Sequence, residues 1–513
     1  MVKEKKPQKY STPAVIPTLF SILVFSFAFI LFLLAKGYRV NLTNQKITKT
    51  GALTVKTYPS NATIYIDNEN LGKTPKSKVL EYGVHDVKIE KEGYHLWNKI
   101  INIPEETTTI LTPWLILSDN KKYTVWNPQK EFVNYWVNKN NDVVLVLLKE
   151  NAEKYSLWKY KIESSLWEIL NNPMKIWETS DSTLSLMQSP NGEYALLTTK
   201  TESGNSSYLM NTSTAFVPSI NNKIDLSKLE GFTISWAQDN KHILFESPTQ
   251  LLSYNITDRL MYTLLTNEIN NQSDQSKKIW TTTEDGYLYY LKDNSIDNSS
   301  VYSYSIEGIS LDGVEEDSLL KTVYLQKDEK YIEYYRAQTN PFVPFTNSPE
   351  NTQTVGKIDY IYINKQAKGI FLSTTVASYW YSIPDAKYLA ISHFPSILLS
   401  TSTDNRRLLI GSKENTSVFT FEKETLDPTE EIGLINIPGL KSEHFPRWVK
   451  NSKHLSYIKD NYITISEMDG DNTVKTIPTD KMLYYTIKYS RENIVTLEKD
   501  EQGFFNINEY RLQ

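Results

Sequence analysis

A single phrase recurs through most of the chain and constrains the fold more than any other feature. Trp236-Ala-Gln-Asp-Asn-Lys-His-Ile-Leu-Phe245 returns as Trp448-Val-Lys-Asn-Ser-Lys-His-Leu-Ser-Tyr457. Weaker copies are Ser189-Pro-Asn-Gly-Glu-Tyr-Ala-Leu-Leu197, Glu284-Asp-Gly-Tyr-Leu-Tyr-Tyr290 and Thr403-Asp-Asn-Arg-Arg-Leu-Leu-Ile410, and further candidates begin near Trp136, Leu325 and Tyr489. Each copy is a polar turn followed by a short apolar strand, and most lead into a second strand such as Leu251–Tyr254 or Tyr462–Ile465. The landmarks fall mostly about 41–52 residues apart, the spacing of a four-stranded propeller blade. One such sheet cannot bury both of its faces, whereas blades stacked around an axis cover one another and leave only short edges. The reading is a β-propeller of seven or eight blades over 114–513, with eight favoured. The longer interval from Leu325 to Thr401 holds either an inserted loop around Asn340–Lys357 or one irregular extra blade. Trp236 and Trp448 share a repeat position, which makes them core residues between blades.

At 513 residues the chain exceeds one ordinary core. Its 34 Tyr and 11 Trp favour strands. The absence of cysteine removes disulfides, thiolate nucleophiles, thiolate zinc sites and iron–sulfur clusters together. The net charge is −5, and four lysines with one glutamate fall in the first 35 residues, so the remainder is more acidic still. Nucleic acid is therefore an unsuitable partner, since phosphate contacts need clustered Lys and Arg.

Ala14 to Ala35 carries no charge, reading AVIPTLFSILVFSFAFILFLLA. As a helix it would reach roughly 33 Å, against about 30 Å of bilayer hydrocarbon. A core helix would show a polar stripe, and a cleaved signal peptide would have a shorter apolar run and a small-residue cleavage site. The expectation is one transmembrane helix at 14–35, a basic cytoplasmic tail at 1–13 and a polar stalk at 36–50. Lys3, Lys5, Lys6 and Lys9 on one flank balance Lys36, Arg39, Lys46 and Lys49 on the other. The short basic tail, and the large β-rich remainder C-terminal to the helix, put the N-terminus inside and that remainder outside the cytoplasm.

From 51 to 103 the pattern has period two. Leu53 and Val55 alternate with Thr54 and Lys56, Ile64 and Ile66 flank Tyr65, and Val87 and Ile89 flank Lys88. Half-buried antiparallel strands alternate in this way, and the result is a small β-sandwich. The run Gly51-Ala-Leu-Thr-Val-Lys-Thr-Tyr-Pro59-Ser-Asn-Ala62-Thr-Ile-Tyr-Ile-Asp67 resembles the PEGA domain. Pro59-Ser60-Asn61-Ala62 stands where the family has Pro-x-Gly-Ala, and Asn tolerates the positive φ of that turn. Leu71-Gly72-Lys73-Thr74-Pro75, Gly83-Val84-His85-Asp86-Val87 and Glu92-Gly93-Tyr94 carry the rest of the resemblance. It implies a surface-exposed β module of envelope proteins with no family-wide catalytic residues. The recurring phrase, most closely at Ser189–Leu197, resembles that of TolB-like and WD-type propellers.

Motifs of known chemistry are missing or broken. Gly72-Lys73-Thr74 ends like a phosphate-binding loop, but Asp67 replaces the first glycine and Pro75 comes next, so the stretch reads as a hairpin turn and nucleotide is disfavoured. Gly308–Gly313 has one residue too many for G-x-S-x-G, and a ring running to Gln513 leaves no room for a hydrolase domain behind it. Asp312–Asp317 and Asp469-Gly470-Asp471 lack the calcium-loop pattern and read as solvated loops, the second a hairpin turn. His242 and His454 share a repeat position, His85 lies on the strand face of Val87 and Ile89, and His95, His393 and His444 stand alone. All are read as structural, and no catalytic residue, metal ligand or cofactor is assigned. The expected function is a single-pass, non-enzymatic envelope scaffold whose propeller face binds a protein or glycan, with Thr266–Lys278 and Asn340–Lys357 as candidate rims. The alternative is a tethered propeller enzyme acting on envelope glycans, which requires carboxylates clustered at the channel mouth.

Overall fold

The computed structural model describes residues 15–35, 38–41, 46–163, 173–181, 184–201, 204–266, 279–293, 301–313, 316–326, 358–366, 368–374, 377–384, 387–392, 395–412, 415–422, 433–449, 452–488 and 492–513. The rim stretches 267–278 and 340–357, the tail 1–13 and His393 lie outside them. The chain divides into two compact units, one running to Asp119 and one starting at Asn120.

Helix α1, Val15–Ala35, forms where the uncharged run predicts it. Its described side chains run from Thr18 to Phe32, and Phe25 is 76% exposed. That stretch covers roughly 22 Å, and among the described residues no helix is long and apolar enough to cross a membrane.

The small unit is a two-sheet sandwich. In one sheet β2 (Lys46–Val55) lies between β1 (Tyr38–Asn41) and β5 (Lys76–Glu81), with β8 (Thr108–Leu111) joining β2 in parallel. In the other, the order is β4 (Glu69–Lys73), β3 (Thr63–Ile66), β6 (Gly83–Glu90), β7 (Trp97–Ile103). The period-two residues meet inside: Leu53, Val55, Ile64, Ile66, Val87 and Ile89 form one core with Trp97, Ile103 and Leu115. Two boundaries and one turn differ from these expectations. The stalk expected at 36–50 contributes a β hairpin, because Tyr38 to Asn41 pairs with Lys49 to Lys46. The sandwich extends past 103, because β8 adds a strand and Leu115 enters the core. Gly72-Lys73-Thr74 is a corner and not a hairpin turn: β4 and β5 belong to different sheets, and the chain crosses between them at the cis Thr74–Pro75 bond. Asn61 takes the expected positive φ, at 68°.

The second unit contains eight four-stranded antiparallel sheets among the described residues. We number them blades 1 to 8: 131–179, 185–224, 233–266, 280–326, 358–392, 397–437, 447–478, and 482–511. The last is completed by β9 (Lys122–Trp126), which pairs with Phe505–Arg511 and so closes the ring with the start of the unit. The ring therefore begins at β9, not at 114; Trp114 bridges Tyr58 in the small unit. Apolar clusters join neighbouring blades, as Leu145, Leu147 and Leu157 of blade 1 meet Leu186, Ala195 and Leu197 of blade 2. Trp236 is half-buried, packed between blades 2 and 3, with its indole N–H on the Met187 carbonyl at 2.9 Å; Trp448 is 3% exposed between blades 6 and 7. Both tryptophans are core residues. Leu325 does not begin a blade: it lies in Glu316–Gln326, the fourth strand of blade 4. The long interval instead holds a regular blade 5, Ile358 to Ser392.

Candidate functional site

Where the recurring phrase occurs among the described residues, it builds the turn between the first and second strands of a blade. In seven blades the fourth turn residue donates its N–H to the carbonyl of the first: Asn141 to Asn138, Gly192 to Ser189, Asn240 to Ala237, Gly286 to Thr283, Lys368 to Lys365, Asn405 to Ser402 and Ser452 to Val449. Each of these fourth residues has positive φ, between 49° and 85°. The turn needs a residue that tolerates the left-handed region, which is why the phrase carries Gly or Asn there so often.

These turns are tied to one another around the ring. Asn138 Nδ2 donates to Pro190 O at 2.6 Å (blades 1–2), and Asn191 N–H to Asn240 Oδ1 at 2.8 Å (2–3). Gln238 N–H donates to Thr282 Oγ1 at 3.1 Å (3–4), and Lys365 Nζ to Asp285 Oδ2 at 2.5 Å (4–5). Asn405 Nδ2 donates to Gln366 Oε1 (5–6), and the Thr403 and Ser452 hydroxyls lie 2.6 Å apart (6–7). Arg447 Nη1 donates to Tyr485 O at 2.6 Å (7–8), and the Tyr484 hydroxyl donates to Asn141 Oδ1 (8–1). Every neighbouring pair of blades is thus linked, at or beside the turns from blade 1 to blade 7 and through the first-strand residues Arg447, Tyr484 and Tyr485 around blade 8, which braces the described turns as a rim.

Between the turns of blades 3, 4, 5 and 6 lies a cleft of about 280 Å³ lined by Gln238, Thr283, Glu284, Asp285, Tyr362, Ile363, Asn364, Lys365, Gln366, Thr401 and Asn405. Ile363 is the one aliphatic side chain in that lining. Asp285 is committed: burial alone would raise its carboxyl, but hydrogen bonds from Lys365 and Thr283 outweigh this and hold it below the ordinary value. Lys365 is committed in turn. Burial would lower its ammonium, Asp285 and Tyr289 raise it, and it stands 5.0 and 5.1 Å over the rings of Tyr287 and Tyr289. Glu284 forms no ion pair among the described residues and is exposed. Burial raises the Tyr362 hydroxyl, and the Glu284 charge adds to it. Lys139, from the equivalent turn of blade 1, is exposed yet crowded by protein. That crowding pushes its ammonium below the ordinary value, against the opposing charge of Glu284.

The residues singled out from sequence take varied places. Thr266 ends the fourth strand of blade 3. His242 opens the second strand of blade 3 between two carboxylates, Nδ1 at 2.6 Å from Asp239 and Nε2 at 2.9 Å from Asp312 of blade 4. Asp312 is therefore more than a solvated loop: it joins two blades and also accepts from Asn255 Nδ2 at 2.9 Å. His454 opens the corresponding strand of blade 7 and is buried. His85 Nδ1 lies 2.7 Å from Asp67, His95 is pushed down by burial, and the His444 ring accepts from its own turn at 3.0 Å. Among the described residues no cluster of His, Asp and Glu could hold a metal ion. Gly470 forms the expected hairpin turn at φ 88°. Sequence reasoning misses the lining of the cleft, although Glu284, Asp285 and Asn405 belong to copies of the phrase; the usable signal is that all copies of the turn come together at one end of the ring.

Residues 50–114 match the PEGA domain family. No curated protein matches the chain. Similar solved structures include a eukaryotic initiation factor, 11% identical, covering 88% of this chain and 98% of that one with a TM-score of 0.39. A β-propeller domain from Myceliophteria thermophila is 10% identical over 78% of this chain and 99% of its own, with a TM-score of 0.31. The WD40 domain of SCAP from fission yeast is 9% identical over 77% and 98%, with a TM-score of 0.30. TM-scores this low bear on neither ligand nor activity. The chain carries a PEGA domain at residues 50–114 and a propeller-like all-β unit.

Proposed function

We propose that the chain is a membrane-anchored, extracytoplasmic scaffold of the cell envelope, in which the rim of first turns is the face that binds a protein or glycan. The observation that carries the binding reading is the cleft, whose polar lining is held on a rim braced at every blade boundary. Binding residues are characteristically loop residues on a rigid support. Glu284 stands in that cleft beside an Asp285 already committed to Lys365, a pairing that leaves Asp285 a poor proton donor and favours binding over glycan hydrolysis. The anchor reading rests on the uncharged Ala14–Ala35 run and on the outward-facing Leu, Phe and Ile of α1, an arrangement that water disfavours and lipid suits.

Two experiments test this. In alkaline extraction of native membranes, retention of the full chain in the pellet supports the anchor, and release into the wash overturns it. In a pull-down from native envelope fractions with the full chain in detergent, the partner retained by the wild type should be lost with a Glu284→Gln, Gln366→Ala double variant. Retention unchanged by that variant would remove the rim as the binding face.

A further inference from the structure

We infer that the cleft between the turns of blades 3 to 6 is a saccharide site that takes one or two neutral sugar rings, with Glu284, Gln366, Asn405 and the Tyr362 hydroxyl as hydrogen-bonding partners. This rests on the reading of the rim as a binding face and names the ligand class of that same site.

Charge makes the first selection. Lys365, the one cation in the lining, is paired with Asp285 and packed over the rings of Tyr287 and Tyr289, and the nearby Lys139 ammonium, lowered by burial, faces the Glu284 charge, so the cleft is poorly furnished for a phosphate or a uronate. Glu284 stands among these residues and repels anions. A divalent metal is equally unsuited, because a calcium ion takes about 6–8 oxygen ligands and the cleft offers one uncommitted carboxylate. An apolar protein anchor finds a single aliphatic side chain, Ile363, in the lining.

Hydrogen-bond inventory makes the second. Sugar hydroxyls donate and accept at once, and the cleft offers both functions side by side. Gln366 and Asn405 use one amide group each on one another. Whichever way the two amides are turned, one amino group and one carbonyl remain, and neither has a protein partner among the described residues. The Gln238 side-chain amide and the Glu284 carboxylate likewise line the cleft, with no hydrogen bond to another side chain or to backbone among the described residues. A carboxylate accepting from neighbouring hydroxyls forms the stronger, charge-assisted bond. Tyr362 lines the cleft with its ring packed against the core between blades 5 and 6, and its hydroxyl, raised by burial and by Glu284, remains a donor to a sugar oxygen. The volume, about 280 Å³, lies at the small end of ligand sites and suits a chain end or a short segment, not an extended polymer.

The test uses the full chain in detergent. Neutral disaccharides based on glucose, galactose and N-acetylglucosamine are titrated by saturation-transfer NMR and calorimetry, beside digalacturonate and inorganic phosphate. At least one neutral disaccharide should bind, and phosphate and digalacturonate should not. Glu284→Gln should weaken that binding about 10–100-fold and Gln366→Ala about 3–10-fold, while Lys481→Ala, far along the chain and just before blade 8, changes nothing. Unchanged thermal melts show that each variant is folded. Tighter binding of the anions, or neutral binding indifferent to Glu284→Gln, overturns the inference. If no neutral sugar binds but the envelope pull-down still depends on the cleft residues, the saccharide class falls and the binding face stands. If the pull-down is also indifferent, both fall.

Discussion

Lys368 is the position where a single side chain works against its backbone. It fills the fourth place of the blade 5 turn at φ 49°, where blades 2 and 4 use Gly192 and Gly286. A non-glycine residue in the left-handed region costs roughly 1 kcal/mol, and Lys368 is exposed with only backbone hydrogen bonds to keep. Lys368→Gly should therefore raise stability in urea by about 0.5–1 kcal/mol, partly offset by the looser unfolded chain, and Lys368→Val should lower it. A lower midpoint for the glycine variant would refute the strain. The same residue marks the limit of what local sequence displays. Gly192, Asn240, Gly286 and Asn405 announce their turns, because Gly and Asn are the residues that such a turn selects. Asn364-Lys365-Gln366-Ala367-Lys368 carries no such mark, so in sequence blade 5 reads as an interval and Leu325 passes for a blade start. Gly369, the next residue, is silent for another reason. A Cβ built there would stand 2.0 Å from Trp380 Cζ2, and contact across strands leaves no trace in local sequence. Gly369→Ala should cost about 1–3 kcal/mol in the same urea titration, and a neutral result would mean that the indole moves aside freely.

At the scale of elements, the joints between blades carry the chemistry that periodicity cannot display. The period-two core of the small sandwich is legible because alternation is local; its extra strands are not, since β1 and β8 are fixed by pairing with β2 and not by pattern. His242 is legible only as a repeated position. Its meaning comes from Asp312, which the ring brings over from the next blade. The side chain is buried; desolvation lowers its imidazolium, and hydrogen bonds with Asp239 and Asp312 overcome this to raise it. A raised histidine contributes stability that is full below its unfolded value, about 6.5, and is lost as pH rises through the folded value. Asp312 is held low, with hydrogen bonds from Asn255 and His242 outweighing burial, so its share is present above about pH 4 and lost as pH falls. The joint of blades 3 and 4 is therefore strongest between about pH 4 and 6.5. Asp312→Asn should cost about 1 kcal/mol in that window, a modest figure because the Asp312 side chain is 43% exposed and screened. The difference from wild type should shrink above the raised histidine value. Urea midpoints of both proteins at pH 6 and pH 9 would show it, and an equal gap at the two values would mean that His242 does not change its charge between them.

Over the whole ring, function and stability depend on closure in different ways. The cleft is assembled from turns as distant in sequence as Gln238 and Asn405, so no local motif could announce it; the repeat announces the ring, and the ring makes the cleft. The ring in turn depends on a short piece of chain. Without β9 the edge Phe505–Arg511 would present an unpaired strand, which folded proteins avoid. Beside its backbone ladder and the Thr124 hydroxyl on Asn508 Oδ1 at 2.8 Å, two contacts fasten β9. Lys122 donates to Glu498 at 2.8 Å; burial raises Glu498, but Lys122, Thr496 and Tyr510 outweigh it and keep the carboxyl below its ordinary value, so acid loosens this contact. Trp126 packs its ring 5.6 Å from both Trp158 of blade 1 and Phe505 of blade 8, and lies parallel to Tyr160 at 6.4 Å. The aromatic contact should dominate, because Lys122 is largely exposed and its pair is screened, whereas Trp126 bridges the first and last blades. Trp126→Ala should then cost about 2–4 kcal/mol, less than a fully buried tryptophan, and Lys122→Ala under about 1 kcal/mol. The distribution of the loss is the sharper check. Amide exchange in Trp126→Ala should quicken first in Phe505–Arg511, while the second strands of blades 3 and 4, His242–Glu246 and Tyr287–Asp293, remain protected. Uniform quickening across all blades would mean that the ring opens as one cooperative unit and that β9 is no weaker than any other joint.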